Sequence, residues 1–227
     1  MSDDNRQNSV LSFDVGSRSM GYALVTADKR LQRWGIIDLQ SNQARDAIDE
    51  FIRLVYTDPS YRWMLQCGVD TDLVIETQFG NNGVCKTLSF ALMTFFLTMD
   101  RERNAAVLST QAPVYRKVHF MQAASKLRYD MDFYHQRNPR TKDERKLMVV
   151  DLVRKLCDED VQMERIGAQQ RQHFETVRFK QQSDLADAYV QALRELQIRE
   201  EAATKEQRRL EKKRKRSSSP SPEEPTE

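Results

Sequence analysis

Val10-Leu11-Ser12-Phe13-Asp14-Val15-Gly16-Ser17-Arg18-Ser19-Met20-Gly21-Tyr22-Ala23-Leu24-Val25 is the stretch on which the reading of this chain turns. Val10–Asp14 has the apolar density of a buried strand, Gly16–Ser19 the small residues of a tight turn, and Gly21–Thr26 the apolar run of a returning strand. A carboxylate inside such a strand is costly to bury unless a cation or hydrogen-bond donors receive it. Asp14 is therefore a side chain that escapes to solvent at a strand end, one that pairs with an arginine, or part of a site.

Working outward, Arg33–Leu39, with Trp34, Ile36 and Ile37, extends the hairpin to a meander of three strands. Ala44–Val55 has apolar residues at helical spacing, and a second helical piece covers Tyr61–Gln66. Leu73–Glu76 repeats the first pattern, an apolar run ending in a carboxylate. Val84–Met99 predicts a long core helix, Ala105–Ser109 a fifth strand, and Pro113 the start of a further helix. Residues 125–142 show no clear periodicity and read as a loop or mobile arm. Leu147–Leu156 resumes helical spacing behind the acidic start Asp143 and Glu144. Ser183–Ile198 is a further helix with Ser183 as its N-cap. Three strands, helix, strand, helix, strand, then helices is the plan of the RNase H fold, an α/β architecture in which a five-stranded mixed sheet is flanked by helices. The first and fourth strands of that plan are central neighbours, so Asp14 and Glu76 fall on one edge.

Asp184 and Asp187, in Ser183-Asp184-Leu185-Ala186-Asp187-Ala188-Tyr189, lie three apart and share a helix face. Leu185, Ala186, Ala188 and Val190 mark that helix as packed. Like charges there repel, a cost that a bound divalent cation removes. Dipole complementation at a helix start is the other reading, stronger for Asp184 than for Asp187. Four carboxylates from two strands and one helix can hold two Mg²⁺ ions, with Mn²⁺ as a substitute. Magnesium prefers hard oxygen ligands and completes its shell with water and phosphate. Such a pair supports hydrolysis at phosphorus without a Ser, Cys or His nucleophile.

Phe13-Asp14-Val15-Gly16-Ser17-Arg18-Ser19-Met20-Gly21-Tyr22-Ala23, Ile75-Glu76-Thr77-Gln78-Phe79 and Asp184-Leu185-Ala186-Asp187-Ala188-Tyr189 resemble, in order and spacing, the three motifs of the RuvC-like Holliday junction resolvases. The resemblance covers roughly residues 9–195. It implies a homodimer that nicks opposed strands of branched DNA, four-way junctions above all. It also implies Asp14, Glu76, Asp184 and Asp187 as catalytic metal ligands, and Lys142 as the best-matching basic catalytic residue, with Lys146 second. Phe79 is either the aromatic that wedges into the junction centre or a core residue. Val15, where the bacterial motif has proline, a longer arm and a charged tail are more similar to the resolvases of large eukaryotic DNA viruses or the fungal mitochondrial branch. Other RNase H-like enzymes, acting on RNA–DNA hybrids or in transposition, and a non-catalytic junction binder are the competing readings. The actin and sugar-kinase superfamily, which also opens Asp-x-Gly, needs a second lobe and a second such loop.

Charge supports a polyanion partner. The net charge of the 227 residues is +2, but residues 101–155 carry thirteen basic against six acidic residues, and residues 1–100 nine against thirteen. Residues 113–146 interleave nine Lys or Arg with Tyr115, Phe120, Tyr129, Phe133 and Tyr134. Arg116, Lys117, Lys126, Arg128, Arg140, Lys142 and Lys146 are the DNA-binding candidates, since such a stretch either contacts phosphates and unpaired bases or forms a solvated loop. Lys212–Arg216 reads as a nuclear-localisation cluster or a DNA-binding tail. Three cysteines without a pairing pattern, no signal peptide and no long apolar run predict an intracellular, soluble, reduced protein with no membrane and no small-molecule cofactor, in the nucleus or at a viral replication site if the cluster is a signal. The organisation expected is a flexible start at 1–8, a nuclease domain at 9–198 and a charged tail at 199–227. That tail reads as largely disordered, with residues from Arg199 able to continue as an exposed helix.

Overall fold

Strand β1, Ser9–Val15, pairs antiparallel with β2, Ser19–Val25, which pairs antiparallel with β3, Leu31–Asp38. In this computed structural model, which describes residues 8–68, 70–77, 82–106, 116–159 and 165–217, β4, Thr71–Thr77, then joins β1 in parallel. β5, Val118–Gln122, adds in parallel to β4, giving a five-stranded sheet of order β3-β2-β1-β4-β5 among the described residues.

The period of two in β1 assigns its faces. Leu11 and Phe13 pack with Leu73 and Ile75 of β4 against α1, Ala44–Thr57, and α2, Gly83–Ala106, where Phe51, Leu88, Leu92 and Phe96 are buried. Val10 and Val74 face the other way. They meet α5, Lys142–Glu159, and α7, Phe179–Ser217, through Val149, Val150, Val153, Leu185, Tyr189 and Leu193. A short 3₁₀ turn, Arg62–Gln66, follows α1, and Met64 is buried from it.

Several expectations are corrected. Ala105 and Ala106 end α2 rather than open a strand, and residues 107–109 lie outside the described residues, as does Pro113. The fifth strand is Val118–Gln122, an edge strand whose exposed Phe120 and Gln122 hide it from an apolar count. Residues 125–142 are not a structureless loop. They contain the end of α3, Ala123–Lys126, and α4, Met131–Arg137, which Asp130 caps by accepting from the Phe133 amide at 2.9 Å. Asn138, in the left-handed region at φ 41°, stops α4. Ser183 lies inside α7, one turn past its start at Phe179, and caps nothing. The charged stretch from Arg199, which the sequence allowed to continue as an exposed helix, does so: α7 runs to Ser217 as one helix of 39 residues, about 58 Å at 1.5 Å per residue. Another helix, α6, Ala168–Thr176, buries Phe174 under Trp34, their rings 5.1 Å apart and nearly parallel. The Trp34 indole N–H donates to the Leu185 carbonyl at 2.7 Å, tying β3 to α7.

Candidate active site

Asp14 and Glu76 share the sheet face of Val10 and Val74, which α7 covers. Register sets them side by side: Phe13 pairs with Ile75 across the parallel β1–β4 ladder, so the next residue on each strand is a carboxylate. Two glycines let the third element approach. A Cβ at Gly21 would collide with the Asp184 carbonyl, and one at Gly16 with the Ser19 carbonyl. Only hydrogen at these positions allows α7 to rest on β2 and the β1–β2 turn to close. Asp184 accepts from the Ser19 hydroxyl at 3.2 Å. Asp187, one turn on, faces the same side and is buried.

All four carboxylates line one cleft of about 550 Å³. Its lining also holds basic residues, mainly from the starts of α5 and α7: Lys142, Arg145, Lys146 and Lys180, with Arg18 from the β1–β2 turn.

Lys126 occupies the centre of this arrangement. β5 pairs Met121 with Glu76, and the short α3 carries the chain back over the strand ends, five residues on. The Lys126 ammonium stands 2.9 Å from Glu76 and 2.9 Å from Asp187, with its side chain 7% exposed. It was expected among the DNA contacts; the structure instead buries it among the acids, where a single cation offsets several carboxylates. Burial, with Glu76 and Asp187 nearby, pushes Asp14 well above the ordinary carboxylate range, and Lys126 offsets this only in part. Burial likewise raises Asp187, against Lys126, and Asp184, against Lys146 and the Ser19 hydroxyl. Glu76 goes the other way: burial opposes its ionisation, but Lys126 and a hydrogen bond with Asp14 outweigh that and lower it. Lys126 itself is raised, its own burial overcome by Asp187, Glu76 and Asp14. Burial and like charge favour the neutral carboxyl, and a neighbouring ammonium favours the carboxylate.

Among the described residues no three His, Cys, Asp or Glu side chains close around one point as metal ligands do. The ammonium stands between Glu76 and Asp187 instead. The donor set is nevertheless one of carboxylate oxygens in negative excess, with the Ser19 hydroxyl beside them, which is the chemistry a hard divalent cation requires.

The remaining candidates divide. Lys142 is exposed at the cleft mouth, whereas Lys146 is half-buried and its charge acts on Glu76, Asp184 and Asp187. The sequence expectation had put Lys142 nearer the acids. Arg128 and Arg140 are exposed outside the cleft lining. Lys117 is exposed at the opposite end of β5, beyond Val118, which pairs with Leu73 rather than with the Glu76 end. Arg116 is no surface contact. Its fully buried guanidinium makes a paired contact with Asp100, 2.9 and 2.7 Å, and donates to the Cys67 carbonyl at 3.0 Å. Phe79 lies outside the described residues. Sequence reading missed Ser19, Arg18, Arg145 and Lys180 as lining residues. Helical spacing carried a signal for two of them: Arg145 falls between Lys142 and Lys146 on one face, and Lys180 stands one turn before Asp184.

No family model matches the chain, and no curated protein matches its sequence. Solved structures do. The chain has the RuvC-like resolvase fold, matching the yeast mitochondrial Holliday junction resolvase Ydc2 with a TM-score of 0.56 at 16% identity, over 84% of this chain and 79% of that one. The RuvC of Thermus thermophilus in complex with Holliday junction substrate aligns with a TM-score of 0.43 at 16% identity, over 85% of this chain and 95% of that one. No helix among the described residues is long and apolar enough to cross a membrane.

Proposed function

We propose that the chain is a divalent-metal-dependent endonuclease that cuts four-way DNA junctions by paired nicks, working as a homodimer. One observation carries the reading: β1, β4 and α7 bring Asp14, Glu76, Asp184 and Asp187 into one cleft whose lining also includes Lys142, Arg145, Lys146 and Lys180. Acids to hold metal beside bases to hold phosphate is the arrangement that hydrolysis of a phosphodiester needs. The likeness of fold to the yeast mitochondrial resolvase supports junctions as the substrate class.

Asp14, Glu76, Asp184 and Asp187 would hold Mg²⁺, in two sites, with Mn²⁺ as a substitute. When bound, the metal pair supplies a water acidic enough to attack at neutral pH and positive charge for the leaving oxygen. The chain's own groups do the rest. Gly21 and Ser19 fix Asp184 against β2, and the basic lining fixes the backbone of the strand to be cut. Lys146, half-buried in the same cleft, would act on the reacting phosphate. Exposed Phe90 of α2 and Phe120 of β5 touch each other at 5.6 Å on the edge of the sheet, an apolar surface suited to a second copy.

Cleavage of a four-way junction, a linear duplex and an RNA–DNA hybrid, each with and without Mg²⁺, tests the proposal. Metal-dependent paired nicks in the junction alone support it; preference for the hybrid assigns the same site to another RNase H-type reaction. Asp14→Asn, Glu76→Gln and Asp187→Asn should each abolish cutting and leave junction binding intact. An amide variant that cuts at the parent rate removes that residue from the metal set. Light scattering that finds only monomer, free and on the junction, excludes the paired nick.

A further inference from the structure

The site uses only the first turns of α7, yet the helix runs on as an exposed rod. Every residue from 200 to 213 is exposed, and the rod carries charge in a one-sided pattern. Lys205, Arg208, Arg209, Lys212 and Lys213 stand at i, i+3, i+4, i+7 and i+8, an arc of roughly 140° at 100° per residue. Glu206 and Glu211 lie off that arc. The acids nearer the domain are already partnered, Glu200 with Lys29 at 2.9 Å and Glu201 with Arg194 at 2.9 Å. Arg209 pairs with Glu206 at 3.4 Å, whereas Lys205, Arg208, Lys212 and Lys213 have no ion pair among the described residues. A helix polar all round, extended past its packing surface, is the form that spans to a partner in solvent.

We infer that this stripe is a second DNA contact, gripping the backbone of a duplex arm about one helical turn from the cut. The inference rests on the nuclease reading above. α7 fixes the distance, because the same helix carries Asp187 and the stripe. Lys205 and Lys213 lie 18 and 26 residues beyond Asp187, or about 27 and 39 Å along the axis. On B-form DNA at 3.4 Å per base pair that is about 8 to 11 base pairs, close to one turn. Consecutive lysines and arginines on one helix face then meet phosphates, which position a duplex without reading its sequence.

The test compares the full chain on four-way junctions with hairpin-capped arms of about 7 and about 20 base pairs, in metal-free buffer, over a salt titration. Three proteins are used: the parent; the variant with Lys205, Arg208, Arg209, Lys212 and Lys213 all changed to Gln; and one with two alanines inserted after Ala202. The insertion keeps every charge and turns the stripe by about 200°. The parent should bind the long-armed junction more tightly and with a steeper salt dependence than the short-armed one. The Gln variant should lose that difference. Its slope should fall by about 0.9 per contact removed, so that three lost contacts make a fourfold rise in salt cost about 40-fold less affinity than in the parent. The insertion should weaken long-arm binding as the Gln variant does. Equal parent affinity for the two arm lengths, or an insertion variant that binds like the parent, overturns the rigid contact. Long-arm affinity unchanged in the Gln variant leaves the stripe to a protein partner such as an acidic import receptor, and overturns the proposal. A parent that binds neither junction overturns the DNA reading on which it stands.

Discussion

Replacing Lys126 with Met removes the ammonium buried among the carboxylates of the cleft while keeping most of the length of the side chain. At 2.9 Å each of its two carboxylate contacts has a gross attraction of about 6 kcal/mol at an effective dielectric of about 20. Desolvation offsets most of that in the folded protein. What the variant leaves behind is a pair of buried carboxylates that have lost their contacting ammonium, and removing one partner of a buried pair costs about 3–5 kcal/mol. For a domain of this size, at roughly 2–4 °C per kcal/mol, the variant should melt about 6–20 °C below the parent in EDTA. Magnesium should then reverse part of the loss. A divalent ion about 5 Å from the lost ammonium is relieved of about 1.7 kcal/mol of repulsion even at the dielectric of water, an affinity gain of roughly tenfold or more. The Mg²⁺-induced rise in melting temperature should therefore be larger in Lys126→Met than in the parent. Calorimetric melting of both proteins in EDTA and across a Mg²⁺ titration measures both quantities. Melting within about 2 °C of the parent in EDTA, with the same Mg²⁺ response, would refute the argument that Lys126 stands in for missing cation charge.

Three further outcomes follow from the same geometry. Arg116→Met should destabilise by about 3–5 kcal/mol in urea unfolding through loss of the buried pair with Asp100, while the salt slope of junction binding stays at the parent value; a reduced slope at parent stability would restore it as a DNA contact. Gly21→Ala should displace α7 from β2 and lower single-turnover cutting by about 100-fold, since misplacing a reacting group by about 1 Å has that effect; a parent rate would show that the close contact at Asp184 is not needed. Lys142→Ala should weaken binding and flatten its salt dependence, whereas Lys146→Ala should lower the cutting rate of bound junction; single-turnover kinetics at saturating enzyme separates the two, and the reverse pattern would assign the roles the other way.

The parts of the site that lie on regular elements were readable because regular elements have a period. Asp14 and Glu76 interrupt apolar strands, and their convergence follows from strand order; Asp184 and Asp187 share a helix face, which the close approach at Gly21 seats beside them. Lys126 was not readable in this way. A lysine buried by tertiary contacts looks, in sequence, like any lysine in a basic region, and only the β4–β5 register places it over Glu76. Arg116 was misjudged for the mirror-image reason, its partner Asp100 being 16 residues away on a different element. β5 escaped because an edge strand keeps one side wet, whereas Ala105-Ala106-Val107-Leu108 offered the apolar run that a central strand would have. α4 carried a usable signal, Asp130 three before Phe133 and the Asn138-Pro139 stop, which the aromatic and basic composition masked.

The hydrogen bond from Trp34 to Leu185 gives the molecule an internal optical gauge. Leu185 sits between Asp184 and Asp187, so the indole is bonded to the very turn that carries two of the acids. The chain has only two tryptophans, and the other, Trp63, bonds to Ser60 on the far face of the sheet. A Trp63→Phe protein therefore has a single emitter whose spectrum and quenching follow the seating of the α7 turn. Loading of the site, its loosening in a variant and its response to a bound junction become visible in solution without a label.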